Sequence, residues 1–202
     1  MKRLLRNNIN TPGFWNQVYL TNPFIQLDRY RYGVIGMHIE RKPCKVVDLG
    51  CGNGLGDFMI REACPDAKIT GVDFHNPHLS LFENFVEGDV CKTGLPDNSF
   101  DYVVSSETLE HLSDPEALFS EAARLLNASG RLILTTPYMD HVPSEEHVWE
   151  FDISDIEKML KGKFSNYWVT PWASGRCVRN TKTGKTVYET GNWDTIWVLA
   201  IK

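Results

Sequence analysis

The chain has 202 residues, of which 42% are hydrophobic and 23% charged, and its formal net charge is −5 at pH 7. This length suits one domain over residues 1–202 with a sizeable core, and the acidic balance leaves no global basic field to recruit nucleic acid. No apolar run is long enough for a membrane span or a secretory leader, and five cysteines without a C-x-x-C pair suit a reduced, cytoplasmic setting better than a disulfide scaffold.

Residues 1–43 read as a helical cap packed outside the main body. Asn10-Thr11-Pro12-Gly13 is a turn that can cap a helix starting near Phe14. Trp15 and Tyr19, four apart, share one face of that helix, most simply as a core stripe. The run Val46-Val47-Asp48-Leu49-Gly50-Cys51-Gly52-Asn53-Gly54 then predicts a buried parallel strand followed by a loop in which alternating glycines permit close approach to a ligand. It is D-x-G-x-G-x-G, not the dinucleotide pattern G-x-G-x-x-G, and the Asp48 carboxylate would repel a pyrophosphate. A ligand with a cationic or hydroxyl-rich surface and no phosphate fits better.

Further strands are predicted at Ile69–Asp73, Val86–Val90, Phe100–Ser105 and Arg131–Thr136. In an open parallel sheet, ligands lie beyond the carboxyl ends of the strands. Asp73 can there accept both hydroxyls of a ribose. Asp89 can accept an adenine amine, and Val90 offers a backbone amide. The plainer alternative makes Asp48, Asp73 and Asp89 turn formers, although three at successive strand ends weigh against it. Asp114-Pro115 opens a helix, and Ser154-Asp155-Ile156-Glu157 reads as a capping box before Lys158. Tyr167–Thr170 and Thr195–Ile201 are the last strand candidates, separated by a polar excursion over residues 174–191.

The glycine run resembles the first motif of class I S-adenosylmethionine (SAM) methyltransferases of the type 11 and 12 kind. The motif order is similar to theirs from Lys45 to Thr136. Leu95–Asp101 resembles their lead into strand four, and Leu125–Gly130 their turn before strand five. The resemblance implies a Rossmann-like α/β fold: a mostly parallel seven-stranded sheet, an antiparallel edge strand and helices on both faces. It also implies SAM as cofactor, bound by Asp48, Gly50, Cys51, Gly52, Gly54, Asp73, Phe74, Asp89, Val90 and Ser105. Trp15 or Tyr19 would cover it from the amino-terminal helix. Cys51 is expected to pack rather than react.

Residues for the acceptor should project beyond strands four and five. Glu107, Glu110 and His111 form E-x-x-E-H, and His147 lies in the next carboxylate-rich segment. One account makes His111, with Glu107 and His147, metal-free catalytic groups. The sharper one makes Glu107, Glu110, His111 and His147 ligands of a divalent metal. That arrangement resembles small-RNA 3′-end 2′-O-methyltransferases and ubiquinone-pathway O-methyltransferases, which implies an ion (Mg, Mn, Fe or Zn) that holds the acceptor oxygens. Oxygen suits the chemistry, because a hydroxyl must lose its proton and a histidine or a metal addresses that. Ser105-Ser106-Glu107-Thr108 stands where amine methyltransferases often carry N/D-P-P-Y/F, which disfavours adenine or glutamine N-methylation.

The expected function is SAM-dependent O-methylation of a small-molecule hydroxyl. Alternatives are an RNA 3′-end 2′-O-methyltransferase and a non-catalytic SAM-binding regulator. From Lys161 to Tyr188 the chain carries Lys161, Lys163, Arg176, Arg179, Lys182 and Lys185 and no acid. This run is either a solvated hairpin or a contact for an anionic acceptor.

Overall fold

The computed structural model describes residues 1–4, 9–11, 13–15, 17, 26–74, 84–139, 145–172, 177–179, 186–188 and 194–202. Near-continuous apolar runs form the central strands. In β2 (Cys44–Leu49) every position but Lys45 is buried, as expected where helices cover both faces of a parallel sheet. Around it stand β3 (Ala67–Asp73), β4 (Asn84–Glu87), β5 (Phe100–Ser106), β6 (Leu126–Pro137), β8 (Asn166–Trp172) and β11 (Thr195–Ile201). They make one seven-stranded sheet in the order β4-β3-β2-β5-β6-β11-β8. Strands β4 to β6 are parallel, and β11 runs antiparallel to both β6 and β8. The antiparallel pairing therefore lies at the expected edge, with β11 one position in and β8 outermost. β8 alternates between exposed and half-buried positions, as an edge strand with one wet face should.

The period of two sorts the core. Val46, Val104 and Ile133 face α1 (Gln26–Met37) and α2 (Leu55–Ala63), among Tyr32, Ile35, Ile60 and Trp197. Val47, Val103 and Leu134 face the other way, toward α3 (Pro115–Leu125) and α4 (Ile153–Leu160), with Phe119, Phe151 and Ile156. The helices thus cover both faces. α1 can lie close on α2 because position 36 is glycine: a Cβ there would stand 2.7 Å from the Ala63 Cβ.

The helix starts follow from side-chain caps. Asp114 accepts from the amides of Glu116 (3.1 Å) and Ala117 (3.3 Å), with Pro115 in the first turn, as the sequence implied. The capping box of α4 falls two residues earlier than expected. Asp152 accepts from the Asp155 amide at 2.9 Å, Asp155 returns the bond to the Asp152 amide at 3.1 Å, and Ser154 merely donates to Asp152 at 2.8 Å. Aspartate caps as well as serine, so the reciprocal pair closes at Asp152.

Other boundaries also move. β4 ends at Glu87, leaving Asp89 and Val90 in the turn that follows. β6 begins at Leu126 rather than Arg131. Phe100 pairs with Leu126 and Tyr102 with Arg131, so residues 127–130 bulge from the ladder. In the amino-terminal region, residues 13–15, residue 17 and α1 are helical, but β1 (Lys2–Arg3) is a strand paired with β7 (Trp149–Glu150). Tyr19 lies outside the described residues. Within the polar excursion, β9 (Cys177–Arg179) and β10 (Thr186–Tyr188) form an antiparallel pair. Among the described residues no helix is long and apolar enough to cross a membrane.

Candidate active site

The sheet reverses its winding at β2, whose neighbours are β3 on one side and β5 on the other. The loops leaving β2 and β5 therefore part at a crevice, the place where open α/β sheets bind ligands. The β2 loop is built from left-handed residues: Gly50 (φ 85°), Gly52 (φ 53°) and Gly54 (φ 81°). The amides of Gly50 and Cys51 both donate to the Val72 carbonyl, at 2.8 and 3.2 Å, which folds the loop onto β3. A Cβ on Gly50 would lie 2.2 Å from the Thr108 Oγ1. Glycine thus presses this loop against the one carrying Glu107, Glu110 and His111.

Asp73 stands where expected, at the end of β3. It is buried, and its Oδ2 accepts from the Gly52 amide at 2.9 Å. Phe74 follows it, half-buried. Asp89 is exposed beyond β4, and its Oδ1 accepts from the Cys91 amide at 2.8 Å, so one oxygen serves the turn. Val90 beside it is buried. Ser105 spends its hydroxyl inside the sheet, donating to the Leu49 carbonyl at 2.8 Å. Cys51 is buried, and burial together with Asp48, Asp73 and Asp57 pushes its thiol well up, so it stays a protonated packing group. Asp48 is fully buried and accepts from the Tyr32 hydroxyl at 2.7 Å. Burial first, then the nearby Asp57, holds its carboxyl well above the ordinary range.

On the acceptor side the four proposed ligands separate into three and one. Glu107 has a left-handed backbone (φ 52°) and turns its carboxylate to Arg31, with Oε2 3.2 Å from Nη2. Glu110 is buried, its Oε2 accepting from the Thr136 hydroxyl at 3.0 Å. Its Oε1 lies 3.6 Å from the His111 Nε2 and 4.0 Å from the His147 Nε2. The three candidate ligand atoms lie within 4.8 Å of one another. The Nδ1 of His111 is 3.1 Å from the Glu146 carbonyl, which can only accept. Nδ1 therefore carries the proton and Nε2 presents its lone pair toward Glu110. Burial, followed by the neighbouring His147, pushes the His111 imidazole down to about 4, so it is neutral at physiological pH.

This set suits a metal ion. The Glu110 Oε1 is buried with no hydrogen-bond partner. Ligands on one small cation stand roughly 3–4 Å apart, given metal–ligand bonds of about 2 Å. Glu107 is left outside as the counter-ion of Arg31.

The amino-terminal segment braces the same cluster. Asn10 donates its Nδ2 to the Glu146 carbonyl at 2.9 Å and accepts from the Trp15 indole at 3.2 Å. Trp15 meets the His111 ring edge-on, with centroids 5.0 Å apart. Trp15 thus touches the acceptor cluster through His111.

Sequence reasoning missed Tyr32, Arg31, Asn10 and Asp57. The last left a signal, because Asp57 shares the buried face of α2 with Gly56 and Ile60. A cavity of about 410 Å³ lies elsewhere, at the amino ends of the strands, lined by Lys45, Asp66, Lys68 and Asp101 among others. In open α/β sheets the binding crevice is at the opposite, carboxyl end.

Residues 47–134 match the family model of a methyltransferase domain. The chain is 28% identical to a Thermus thermophilus demethylmenaquinone methyltransferase over 116 residues, 52% of this chain and 53% of that one. It is 34% identical to phosphoethanolamine N-methyltransferase 3 of Arabidopsis thaliana over 101 residues, 45% of this chain and 20% of the relative. The chain thus spans about half the length of the first relative and a fifth of the second. The fold is similar to that of Burkholderia thailandensis 1,6-didemethyltoxoflavin-N1-methyltransferase solved with S-adenosylhomocysteine. There the TM-score is 0.69 at 17% identity, covering 100% of this chain and 93% of that one.

Proposed function

We propose that the chain is a class I SAM-dependent methyltransferase and that it methylates an oxygen of a small-molecule acceptor held beside Glu110, His111 and His147. The observation that carries the reading is the converging set of the buried Glu110 Oε1 and the Nε2 atoms of the half-buried His111 and His147. SAM supplies an already activated methyl on its sulfonium, so the chain has to align an acceptor and remove its proton. Gly50, Cys51 and Gly52 would carry the methionine part, Asp73 the ribose and Asp89 the adenine amine. The Thr108 contact on Gly50 fixes that cradle against the acceptor loop.

Glu110, His111 and His147 would hold a divalent ion, which would lower the pKa of an acceptor hydroxyl. Two imidazoles and one carboxylate favour manganese, iron or zinc over magnesium. Stripping metal from the enzyme, checked by elemental analysis, should abolish turnover and leave SAM binding intact. Returning Mn²⁺ or Zn²⁺ should restore it. Full activity of the stripped enzyme would assign the work to the neutral His111 imidazole as general base.

The acid-free run from Lys161 to Tyr188 supports an anionic acceptor. Arg179 lies on β9, and Arg176 lies outside the described residues. Replacing both by glutamine should raise the acceptor KM and leave SAM affinity unchanged, and added salt should act likewise, because salt screens the attraction between unlike charges. Unchanged acceptor kinetics would make the run a solvated hairpin.

A further inference from the structure

Arg31 reaches the acceptor loop from a distant part of the chain. It lies on α1, and its Nη2 stands 3.2 Å from the Glu107 Oε2. The arginine side chain is 4% exposed and the glutamate side chain 16%. The same nitrogen donates to the Thr195 hydroxyl of β11 at 3.3 Å, so helix and sheet both fix it. Guanidinium groups keep their charge in proteins. Drawing Glu107 away would strip this buried one of a counter-charge, which is strongly unfavourable.

The two glutamates of the loop are anchored on neighbouring residues of β6. The Glu107 amide donates to the Thr135 carbonyl at 3.0 Å. The Glu110 Oε2 accepts from the hydroxyl of the next residue, Thr136, at 3.0 Å. Glu107 has a left-handed backbone, φ 52°, which a non-glycine residue keeps only where its surroundings over-determine it. The bond to β6 and the pair with Arg31 do so here. The short turn Leu109–His111 then carries Glu110 and His111 to His147. The cluster keeps one carboxylate and two imidazoles, while the other glutamate of the loop is committed to Arg31.

That count has a chemical meaning. Zinc sites with four protein ligands are closed and structural, whereas catalytic ones use three and leave a position for water or substrate. We propose that Arg31 keeps the ion site open: by holding Glu107 it limits the protein ligands to Glu110, His111 and His147 and leaves coordination positions for the acceptor oxygen. Arg31 is then a positioning residue that acts through Glu107, and Glu107 is a ligand withheld. The inference rests on the ion reading given under Proposed function.

The test uses Mn²⁺ alone on the metal-stripped full chain. Calorimetry gives the affinity, and the relaxation of water protons by the bound ion reports how much water it coordinates. The parent should bind Mn²⁺ with exchangeable water on it. Glu107→Gln, which keeps an oxygen for Arg31, should match the parent in both readouts. Arg31→Met should free Glu107, tighten Mn²⁺ binding roughly tenfold as a carboxylate joins the set, and diminish the water signal. Adding Glu107→Gln to Arg31→Met should return both readouts to the parent's. Weaker binding in Glu107→Gln would make Glu107 a ligand of the parent and overturn the proposal. Weaker or equal binding in Arg31→Met, the outcome of a purely structural ion pair, would overturn it too, as would tighter binding with the water signal unchanged. Should Arg31→Met not fold, Arg31→Gln takes its place with the same expectations. A parent that binds no Mn²⁺ would remove the ion reading itself, and this inference with it.

Discussion

Asp73 holds the Gly52 amide at the end of β3, and the proposed function makes it the acceptor of the ribose hydroxyls. Asp73→Ala should therefore loosen the loop and weaken SAM binding by about 1–3 kcal/mol, the cost of unpairing buried polar groups. Titration calorimetry on a folded variant measures it, and unchanged affinity would take Asp73 out of the site. The place of Asp73 at a strand end was legible because strand-end acids beyond a glycine loop form a pattern along the chain. Glu107 shows the limit of such patterns. Its spacing to Glu110 and His111 suggested a shared ligand set, yet Arg31 claims it from a helix far off in sequence. The Tyr32–Asp48 bond was hidden in the same way, since no local period announces a partner supplied by another element.

At the level of elements, glycines test how tightly the cofactor loop and the acceptor loop are joined. Gly50 and Gly94 both have positive φ, 85° and 71°, but a Cβ at 94 meets nothing within 4 Å while one at 50 meets Thr108 at 2.2 Å. Gly94→Ala should cost only backbone strain, about 1–2 kcal/mol. Gly50→Ala should add overpacking of about 1–3 kcal/mol and should also disturb acceptor KM, because Thr108 lies one residue from Glu107 and two from Glu110. Melting temperatures and steady-state kinetics of the two variants separate these effects, and equal losses in both would mean the loops are not braced together. The parallel strands that place these loops were readable because burial on both faces leaves long apolar runs. The β1–β7 pair was not, because Lys2–Arg3 and Trp149–Glu150 are too short to show a period. The start of β6 was misplaced because residues 127–130 carry turn chemistry inside a ladder that begins earlier.

Across the whole molecule, buried acids tie stability to pH. Burial raises the carboxyls of Asp48, Asp57, Glu107 and Glu110, each against weaker opposing contacts. A raised carboxyl binds more protons folded than unfolded, so its contribution is complete below the unfolded pKa of about 4 and is lost as pH rises toward the folded value. His111 has the opposite sign. Its folded value is lowered to about 4, so its contribution is present above the unfolded value near 6.5 and is lost on acidification. Asp152 and Glu121, held low by Ser154 and by Arg124 and Thr93, lose their contribution only below the ordinary carboxylate range. Between about pH 6.5 and 8 the raised acids therefore act without opposition from these groups. The cofactor-free protein should melt at progressively lower temperature across that window. Scanning calorimetry of the cofactor-free protein at a series of pH values measures the trend. A melting temperature that is flat or rises over this interval in the cofactor-free protein would show that the buried acids ionise without cost, and the chain would then need a compensating cation close to Asp48 and Asp57.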